Sequence, residues 1–344
     1  MTDSLPFDVL MEILPWIEYK DLPALASSSK AMSILALDRL YASIPAQCFL
    51  GAGTSICNNP TLAQRVLSLE VNRKHNGKNS DIVIPLLSNV LNTTVNLRHL
   101  VLHMGGSYCK VLQFSRFQLH TLSCHAFTDH HLITFLRQQT ELKELVLAHS
   151  LPPIPKGRSH PWKFQQLESF DGPWTWAESI LPKTPLLSRL MVTSAPSRPC
   201  NLKVLADAPI RQLRIPFPAV VPQGTADQIR QLIPRLDSLA ILLDTGFMSL
   251  LKTNPIPALE QWLITTLSAV TTIRCLAIYG FRTSDRQTSN TINFIQNVTA
   301  EAPRVLEVSI VYGPQMDVDA GATCVWKRVS GHDWDSTETS VEWA

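Results

Sequence analysis

The sequence predicts an α/β solenoid preceded by a small module of three helices. A short pattern, apolar-x-x-apolar-x-apolar, recurs after about residue 66 at separations of roughly 20 to 37 residues, which is the period of solenoid arrays. Stretches with helical periodicity separate these motifs, so strands and helices alternate along the chain. The first 44 residues lack the motif and carry apolar residues at helical spacing instead.

The recurrent motif predicts one short parallel strand per repeat, with its apolar residues pointing into the core. The clear instances are Leu97-Leu100-Leu102, Leu119-Leu122-Cys124, Leu142-Leu145-Leu147, Leu187-Leu190-Val192, Ile210-Leu213-Ile215, Leu236-Leu239-Ile241, Ile273-Leu276-Ile278 and Val305-Val308-Ile310. Weaker instances are Leu67-Leu69, with Leu67 as the middle position, and Leu167-Phe170. The helical stretches between them include 80–91, 128–138, 225–236, 257–270 and 285–300.

Side chains alternate between the two faces of a strand, so the residues between the inward positions are expected to line the exposed, concave sheet. This face carries small, polar and aromatic groups without a single sign of charge, which favours recognition of another protein. The candidate target-binding residues are His99, Val101, His103, Ser123, His125, Val146, Asp171, Met191, Arg214 and Tyr279.

The N-terminal module, residues 4–44, contains an apolar stripe in its first helix. Pro15 disfavours continuation of that helix, Asp21 is a candidate cap for a second helix, and the serines at 27–29 predict a junction before a third. Three helices of this size bury little surface alone. The module is therefore expected either to bind a partner or to cap the following array.

The same stretch resembles an F-box. The residues that carry the resemblance are Leu5-Pro6, Asp8, Ile13-Leu14, Ile17, Asp21-Leu22, Leu25 and Ser29-Lys30, whereas Ser28 and Met32 depart from the pattern. The resemblance implies that the module binds a Skp-type adaptor and, through it, a cullin–RING ubiquitin ligase. It implies an adaptor interface made of Leu5, Pro6, Val9, Ile13, Leu14 and Leu22, with Leu10, Leu25 and Leu35 in the core.

The repeated strands resemble leucine-rich repeats of the irregular kind. The asparagine expected shortly after the last leucine of each motif is absent from almost every unit, so the ladder of asparagine side chains is missing. The sequence thus predicts four segments. They are an F-box-like module at 4–44, a linker at 45–60, an irregular solenoid at 61–313, and a cap or hairpin at 314–344.

Composition argues against several other classes of function. The net charge is +2 and the chain has no long apolar run, so neither nucleic acid nor a membrane is an expected partner. Seven cysteines without a C-x-x-C motif argue against a disulfide framework and a structural zinc site, which favours a cytoplasmic or nuclear location. No cofactor is expected. Gly51-Ala52-Gly53 lacks the rest of a phosphate-binding fingerprint.

Two sharper interpretations concern histidines and tryptophans. His99, His103 and His125 lie on neighbouring predicted strands, where they are either solvent-facing residues or ligands of a metal. Trp162, Trp174 and Trp176 fall in a proline-rich interruption of the repeats, either as core or as part of a binding loop. No catalytic motif is present, so the chain is not expected to be an enzyme.

Two functional hypotheses follow. In the first, the chain is the substrate receptor of a ubiquitin ligase: its helices bind the adaptor and its repeats bind the target. In the second, it is a scaffolding repeat protein whose N-terminal helices only cap the array.

Overall fold

The computed structural model describes residues 7–72, 80–104, 108–125, 129–147, 162, 164–193, 205, 208–216, 229, 231, 233–243, 256–281, 289–300, 302–312, 322–330 and 333–339. The chain divides into two compact units, Met1–Leu142 and Lys143–Ala344. Both contain helices and mostly parallel strands, so the predicted α/β class is confirmed. The division lies within the predicted array rather than after the N-terminal module.

The first unit contains seven α-helices and four strands within its described residues. The helices are α1 Phe7–Ile13, α2 Leu22–Ser28, α3 Lys30–Ala42, α4 Phe49–Asn58, α5 Pro60–Ala63, α6 Ser80–Thr93 and α7 His130–Gln138. Short 3-10 helices span Leu14–Trp16, Tyr19–Asp21, Ala46–Cys48 and Cys109–Leu112. The strands are β1 Ser43–Ile44, β2 Ser68–Asn72, β3 His99–His103 and β4 Thr121–Cys124, and each pairs in parallel with the next along the chain.

The core of this sheet consists of two in-register rows of apolar side chains. Leu69, Leu100 and Leu122 form one row, and Val71, Leu102 and Cys124 form the other. All six side chains are buried. The inward positions predicted for β3 and β4 are therefore confirmed.

The predicted middle position of β2 is wrong. Leu67 lies in the turn before the strand and is 46% exposed, whereas Leu69 is buried and pairs with Leu100. The motif that fits is Val66-Leu69-Val71, since all three of these side chains are buried.

Residues 45–60 are not a linker. They contain a 3-10 helix and α4, and Phe49 and Ile56 of α4 are buried. Gly53 lies where α4 packs against α6, because a Cβ at this position would sit 3.2 Å from the Leu86 side chain and 3.3 Å from Val90. The glycines that suggest a loose loop in the sequence thus lie inside a helix, and Gly53 permits its close approach to a neighbour.

The three N-terminal helices enclose a small core of their own. Its buried members are Leu14, Leu22, Leu35 and Ala36, with Ile17, Leu25, Ala26 and Leu40 packed around them. Ser29 separates α2 from α3 and caps α3, since its hydroxyl accepts a hydrogen bond from the Met32 N–H at 3.2 Å. The predicted side-chain cap at Asp21 does not form, although Asp21 does precede α2.

The second unit repeats the strand pattern. Its described strands are β5 Glu144–Leu147, β6 Ser169–Gly172, β7 Arg189–Val192, β8 Gln212–Pro216, β9 Ser238–Leu242, β10 Cys275–Phe281, β11 Glu307–Tyr312, β12 Ala322–Ser330 and β13 Asp333–Thr339. Its α-helices in the described ranges are α8 Trp174–Ile180, α9 Ile256–Ala269 and α10 Ser289–Ala300, and a 3-10 helix spans Leu181–Lys183. The strands β5 to β11 pair in parallel in chain order, and β12 and β13 follow as an antiparallel hairpin.

The predicted inward positions of the second unit are confirmed. The middle residues of β5 to β11 lie in register and are buried; they are Leu145, Phe170, Leu190, Leu213, Leu239, Leu276 and Val308. The core interpretation of Trp162, Trp174 and Trp176 is also confirmed, since all three are buried and Trp162 contacts Trp176 with ring centroids 5.9 Å apart. The helical prediction for 225–236 lies mostly outside the described residues.

Polar side chains in the turns before the strands bond backbone carbonyls elsewhere in the same unit. Four residues that each immediately precede the first apolar residue of a motif donate to a backbone carbonyl of a neighbouring repeat: Asn96 to Gln64 at 2.7 Å, Gln118 to Gln138 at 3.0 Å, Thr272 to Leu236 at 2.7 Å and Arg304 to Thr271 at 3.5 Å. These bonds satisfy turn carbonyls that no sheet ladder reaches. Because four different residue types make these bonds, no single residue type recurs at this position in the sequence.

The buried amide of Gln139 joins the end of α7 to the turn before β4. Its Oε1 accepts from the Leu119 N–H at 2.7 Å, and its Nε2 donates to the Phe117 carbonyl at 3.4 Å. A buried amide is tolerated because both of its polar ends are paired. Among the described helices, none is long and apolar enough to cross a membrane.

Candidate protein-binding surfaces

The N-terminal helices present apolar side chains that their own core does not cover. Val9 and Ile13 lie four residues apart on α1, hence on one face, and are 37% and 44% exposed. Trp16 follows in the adjoining 3-10 turn and is 86% exposed. Tryptophan is highly buried on average, so this exposure is unusual. We call Val9, Ile13 and Trp16 the N-terminal apolar surface.

Helix α3 holds the turns that carry this surface. The Arg39 guanidinium donates to the Pro15 carbonyl at 3.0 Å, next to Trp16. The Tyr19 hydroxyl donates to the Leu40 carbonyl at 2.9 Å. These contacts fix the backbone on both sides of Ile17, so the tryptophan extends from an ordered turn.

The predicted adaptor interface divides between surface and core. Val9 and Ile13 are exposed, as an interface requires, but Leu14 and Leu22 are buried in the core of the module. Their assignment to the interface is therefore wrong: in the 3-10 turn after α1 and at the start of α2 they point toward α3. Leu35 is a core residue as predicted. Leu5 and Pro6, and the side chain of Leu10, lie outside the described residues.

The N-terminal module is hydrogen-bonded directly to the sheet and is not separated from it by a linker. Ser43 and Ile44 pair in parallel with Ser68 and Leu69, and the Leu67 N–H donates to the Ala42 carbonyl at 2.9 Å. Arg65, in the turn before β2, forms an ion pair with Asp38 and donates to the Ile34 carbonyl at 3.1 Å. The end of α3 therefore continues directly into the first strand.

The face of β2 to β4 opposite the leucines carries histidines. Val101, His103 and Ser123 are half-buried there, and His99 and His125 are exposed. The His99 Nδ1 lies 3.1 Å from the Thr121 hydroxyl oxygen. This part of the predicted target-binding set therefore remains accessible.

At the N-terminal edge of the same strands, Glu141 joins two basic side chains. Its Oε2 lies 2.6 Å from the Arg98 Nη1 and 3.5 Å from the His120 Nε2. All three side chains are substantially exposed, so water weakens the attraction and its contribution to stability is small.

The corresponding face of the second unit is occupied by its own side chains. The Arg214 guanidinium bonds both carboxylate oxygens of Asp171, at 3.0 and 3.2 Å, and its carbon lies 5.8 Å from the centre of the Tyr279 ring. Ala277, Tyr279 and Val311 form a second apolar cluster, with Ala240 and Leu242 packed against it. Val146 and Met191 are half-buried on this side of the sheet.

Tyr279 is the predicted target-binding residue that the structure contradicts most clearly. It is only 7% exposed, because its ring packs in the cluster with Ala277 and Val311. Burial raises the pKa of the Tyr279 phenol above its usual value of 10.0, and the neighbouring Arg214 offsets part of that rise. Asp171 and Arg214 are available to a partner only if their ion pair opens.

The histidines of the first unit are possible metal ligands on the sequence alone. Within the described ranges, no three His, Cys, Asp or Glu side chains come together so as to hold a metal ion. His103 and His125 do lie close, with ring centroids 4.5 Å apart. His99 instead faces Thr121 and the His120 ring.

Two features of these surfaces are absent from the sequence predictions: the exposure of Trp16 and the contact between Asp171 and Arg214. Trp16 follows Ile13 by three residues and continues the stripe of Val9 and Ile13, a spacing that was sufficient to include it. Asp171 and Arg214 each follow the middle residue of a motif, so aligning the motifs places both in one row of the sheet. Nothing in the sequence indicates that these two side chains meet across the strand between them.

No protein-family model matches this chain, and a search of curated proteins gives no match either.

Proposed function

We propose that this chain is the substrate receptor of an SCF-type cullin–RING ubiquitin ligase. In this proposal α1 to α3 form an F-box that binds a Skp-type adaptor, and the strand repeats form an irregular leucine-rich-repeat solenoid that binds the target. The chain itself performs no chemistry. It raises the concentration of the target near a separate transfer enzyme.

The observation that carries the proposal is the exposed N-terminal apolar surface. Val9, Ile13 and Trp16 extend from a module whose own core is complete without them. An amphipathic helix with uncovered apolar residues is the usual ligand of a hydrophobic groove. This supports binding of a partner at the position where the sequence resembles an F-box.

The solenoid proposal rests on the order and register of the strands. Within each unit, successive repeats contribute strands that pair in parallel with the next in sequence, and the inward apolar rows run through all of them. Turn side chains such as Asn96 and Thr272 bond the neighbouring repeat. Nearest-neighbour packing of this kind is typical of repeat proteins.

For the target, the accessible face of β2 to β4 is the better candidate within the predicted set. His99, Val101, His103, Ser123 and His125 are exposed or half-buried there, whereas Asp171, Arg214 and Tyr279 contact one another. Binding through the second group would first have to break an ion pair and uncover an apolar cluster.

The scaffolding alternative also has an observation in its favour. Because Ser43 and Ile44 extend the sheet and Arg65 bonds α3, the N-terminal helices cover the first repeat as a cap would. Deleting residues 1–44 would not separate the two hypotheses, since it removes a paired strand under both. Surface substitutions in the full chain do separate them.

The test is co-elution of the full-length chain with a purified Skp-type adaptor on gel filtration. The proposal predicts a one-to-one complex that is lost when Val9 and Ile13 are both replaced by Asp. The matched control is Ile82→Asp, because Ile82 is an exposed apolar residue on α6, a helix that is not part of the N-terminal module. If the wild-type chain elutes alone, or the double variant still co-elutes, the scaffolding alternative is favoured.

A further inference from the structure

His103 and His125 are neighbours on adjacent parallel strands. Leu102 and Cys124 are register partners, so the residues that follow them occupy the next row of the sheet. The His125 N–H donates to the Leu102 carbonyl at 2.9 Å, which continues the ladder beyond the last assigned pair. Side chains in one row leave the sheet on the same face, with strands about 4.8 Å apart. The two imidazoles therefore extend side by side from the face opposite the leucines.

We propose that His103 and His125 form a two-imidazole site for a divalent transition-metal ion such as Zn²⁺, Ni²⁺ or Cu²⁺. The ring centroids are 4.5 Å apart and the ring planes are inclined by 35°. Two imidazoles bound to one Zn²⁺ at about 2.0–2.1 Å place their ring centroids roughly 4.5 to 5.5 Å apart. The observed spacing of 4.5 Å lies at the lower end of this range, so one ion can bind both rings if each turns a nitrogen toward it.

The chemistry of the donors selects the class of ion. Imidazole nitrogen suits Zn²⁺, Cu²⁺ and Ni²⁺, whereas Mg²⁺ and Ca²⁺ prefer oxygen. Since the described residues offer no third His, Cys, Asp or Glu at this place, water fills the remaining positions. His125 is exposed, so those positions face solvent. Such a site binds reversibly and does not hold the fold together as a four-ligand zinc site does.

Other histidines near these strands differ in ways that make them controls. The ring centroids of His99 and His120 are 6.2 Å apart, beyond the range for two imidazoles on one ion, and the rings meet edge to face. His130 and His131 are consecutive residues at the start of α7, and their ring centroids are only 3.7 Å apart, which is below the range for two imidazoles on one ion. Neither pair occupies one row of the sheet on adjacent strands at the spacing of His103 and His125.

The experiment is isothermal titration of the full-length chain, without a polyhistidine tag, with ZnCl₂ and then NiCl₂. One saturable site is expected. Because even the hydrogen-bond partners of metal ligands contribute about 10- to 100-fold to affinity, His103→Asn and His125→Asn should each weaken binding by at least about tenfold. His99→Asn and His130→Asn should leave the affinity unchanged.

A spectroscopic measurement on the wild-type chain tests the two ligands without relying on a variant, which could lose binding by failing to fold. Electron paramagnetic resonance of bound Cu²⁺ should show splitting from two imidazole nitrogens, and only one in His125→Asn. The proposal is overturned if the wild-type chain binds no ion saturably, if the His103 and His125 variants bind as tightly as wild type, or if affinity is lost in His130→Asn instead. This outcome is independent of whether the chain binds a Skp-type adaptor.

Discussion

Arg214 reaches across a whole strand to Asp171. Its Nη2 lies 3.0 and 3.2 Å from the two carboxylate oxygens, although β6 and β8 are separated by β7, where Met191 occupies the intervening place in the row. The pair is largely shielded, with side-chain exposures of 17% for Arg214 and 20% for Asp171. It therefore rigidifies the face of the second unit rather than leaving it open to a partner.

Breaking this ion pair is expected to destabilise the chain. Asp171→Ala leaves a largely shielded guanidinium without its carboxylate and should cost about 1–3 kcal/mol in the free energy of unfolding. Arg189→Ala is the control, since the Arg189 guanidinium bonds the exposed Gln212 side chain and its loss should change stability by less than about 0.5 kcal/mol. A double-mutant cycle with Arg214→Ala, read by urea unfolding, measures the coupling; a value near zero would show that the pair contributes nothing.

Tyr279 predicts a dependence of stability on alkaline pH. Burial raises the pKa of its phenol in the folded state, so the folded chain binds the proton more tightly than the unfolded chain does. The resulting stabilisation is complete below the unfolded pKa of 10.0 and is lost as pH rises through the folded value. Between about pH 9 and pH 11 the wild-type chain should lose more unfolding free energy than Tyr279→Phe, which keeps the ring. Equal losses in the two proteins would contradict the burial of this hydroxyl.

Gly53 and Gly51 test whether α4 packs as a core helix. Gly53→Leu inserts a side chain where a Cβ alone would lie 3.2 Å from Leu86, and is expected to cost about 1–3 kcal/mol in stability. Gly51 has no atom within 4 Å of the same position, so Gly51→Leu should be neutral or stabilise the helix by up to about 1 kcal/mol. Thermal unfolding of the two variants tests whether α4 is packed, because a flexible linker would tolerate Gly53→Leu and Gly51→Leu equally.

Alanine substitutions at the neighbouring residues Gln139 and Gln138 test the contribution of a buried amide against that of an exposed one. Gln139→Ala leaves the Leu119 N–H without its 2.7 Å partner in a buried place, and should cost about 1–3 kcal/mol. Gln138→Ala removes an exposed side chain and should change the free energy of unfolding by less than about 0.5 kcal/mol. Urea unfolding of the two variants provides the comparison, and similar values would mean that the amide network does not stabilise the turn.

The apolar rows of the sheet are predictable because one motif describes the parallel strands β2 to β11. Leu100, Leu122, Leu190 and Leu239 follow it without exception, and burial of alternate side chains fixes their direction. For β2, Leu67 and Leu69 are both apolar and two positions apart, so either can be taken as the middle residue of the motif. Val66 and Val71 fit the motif only when Leu69 is the middle residue. The helix at 49–58 is not predictable from the sequence because Gly51 and Gly53 disfavour helix formation. Packing of α4 against α6 outweighs this low helix propensity.

The surfaces were less predictable than the core. Neither the F-box resemblance nor the apolar spacing distinguishes a residue that packs inside a small module from one that remains exposed. Leu14 and Leu22 are therefore predicted at the interface together with Ile13, although both are buried. Tyr279 was expected to be exposed by strand alternation, but apolar side chains of neighbouring strands cover it. The turn hydrogen bonds of Asn96, Gln118 and Thr272 share a position rather than a residue type, so letter-by-letter comparison of the repeats does not find them.

Replacing Trp16 is the sharpest test of whether the N-terminal apolar surface binds a Skp-type adaptor. Buried tryptophans are among the residues that contribute most to interfaces, whereas Trp16 of the isolated chain already lies in water and contributes little to its stability. Isothermal titration with the adaptor should show that Trp16→Ala weakens binding by at least about tenfold, or 1.4 kcal/mol, with thermal unfolding unchanged. Equal affinities for wild type and Trp16→Ala, or no binding by the wild-type chain, would contradict this proposed binding.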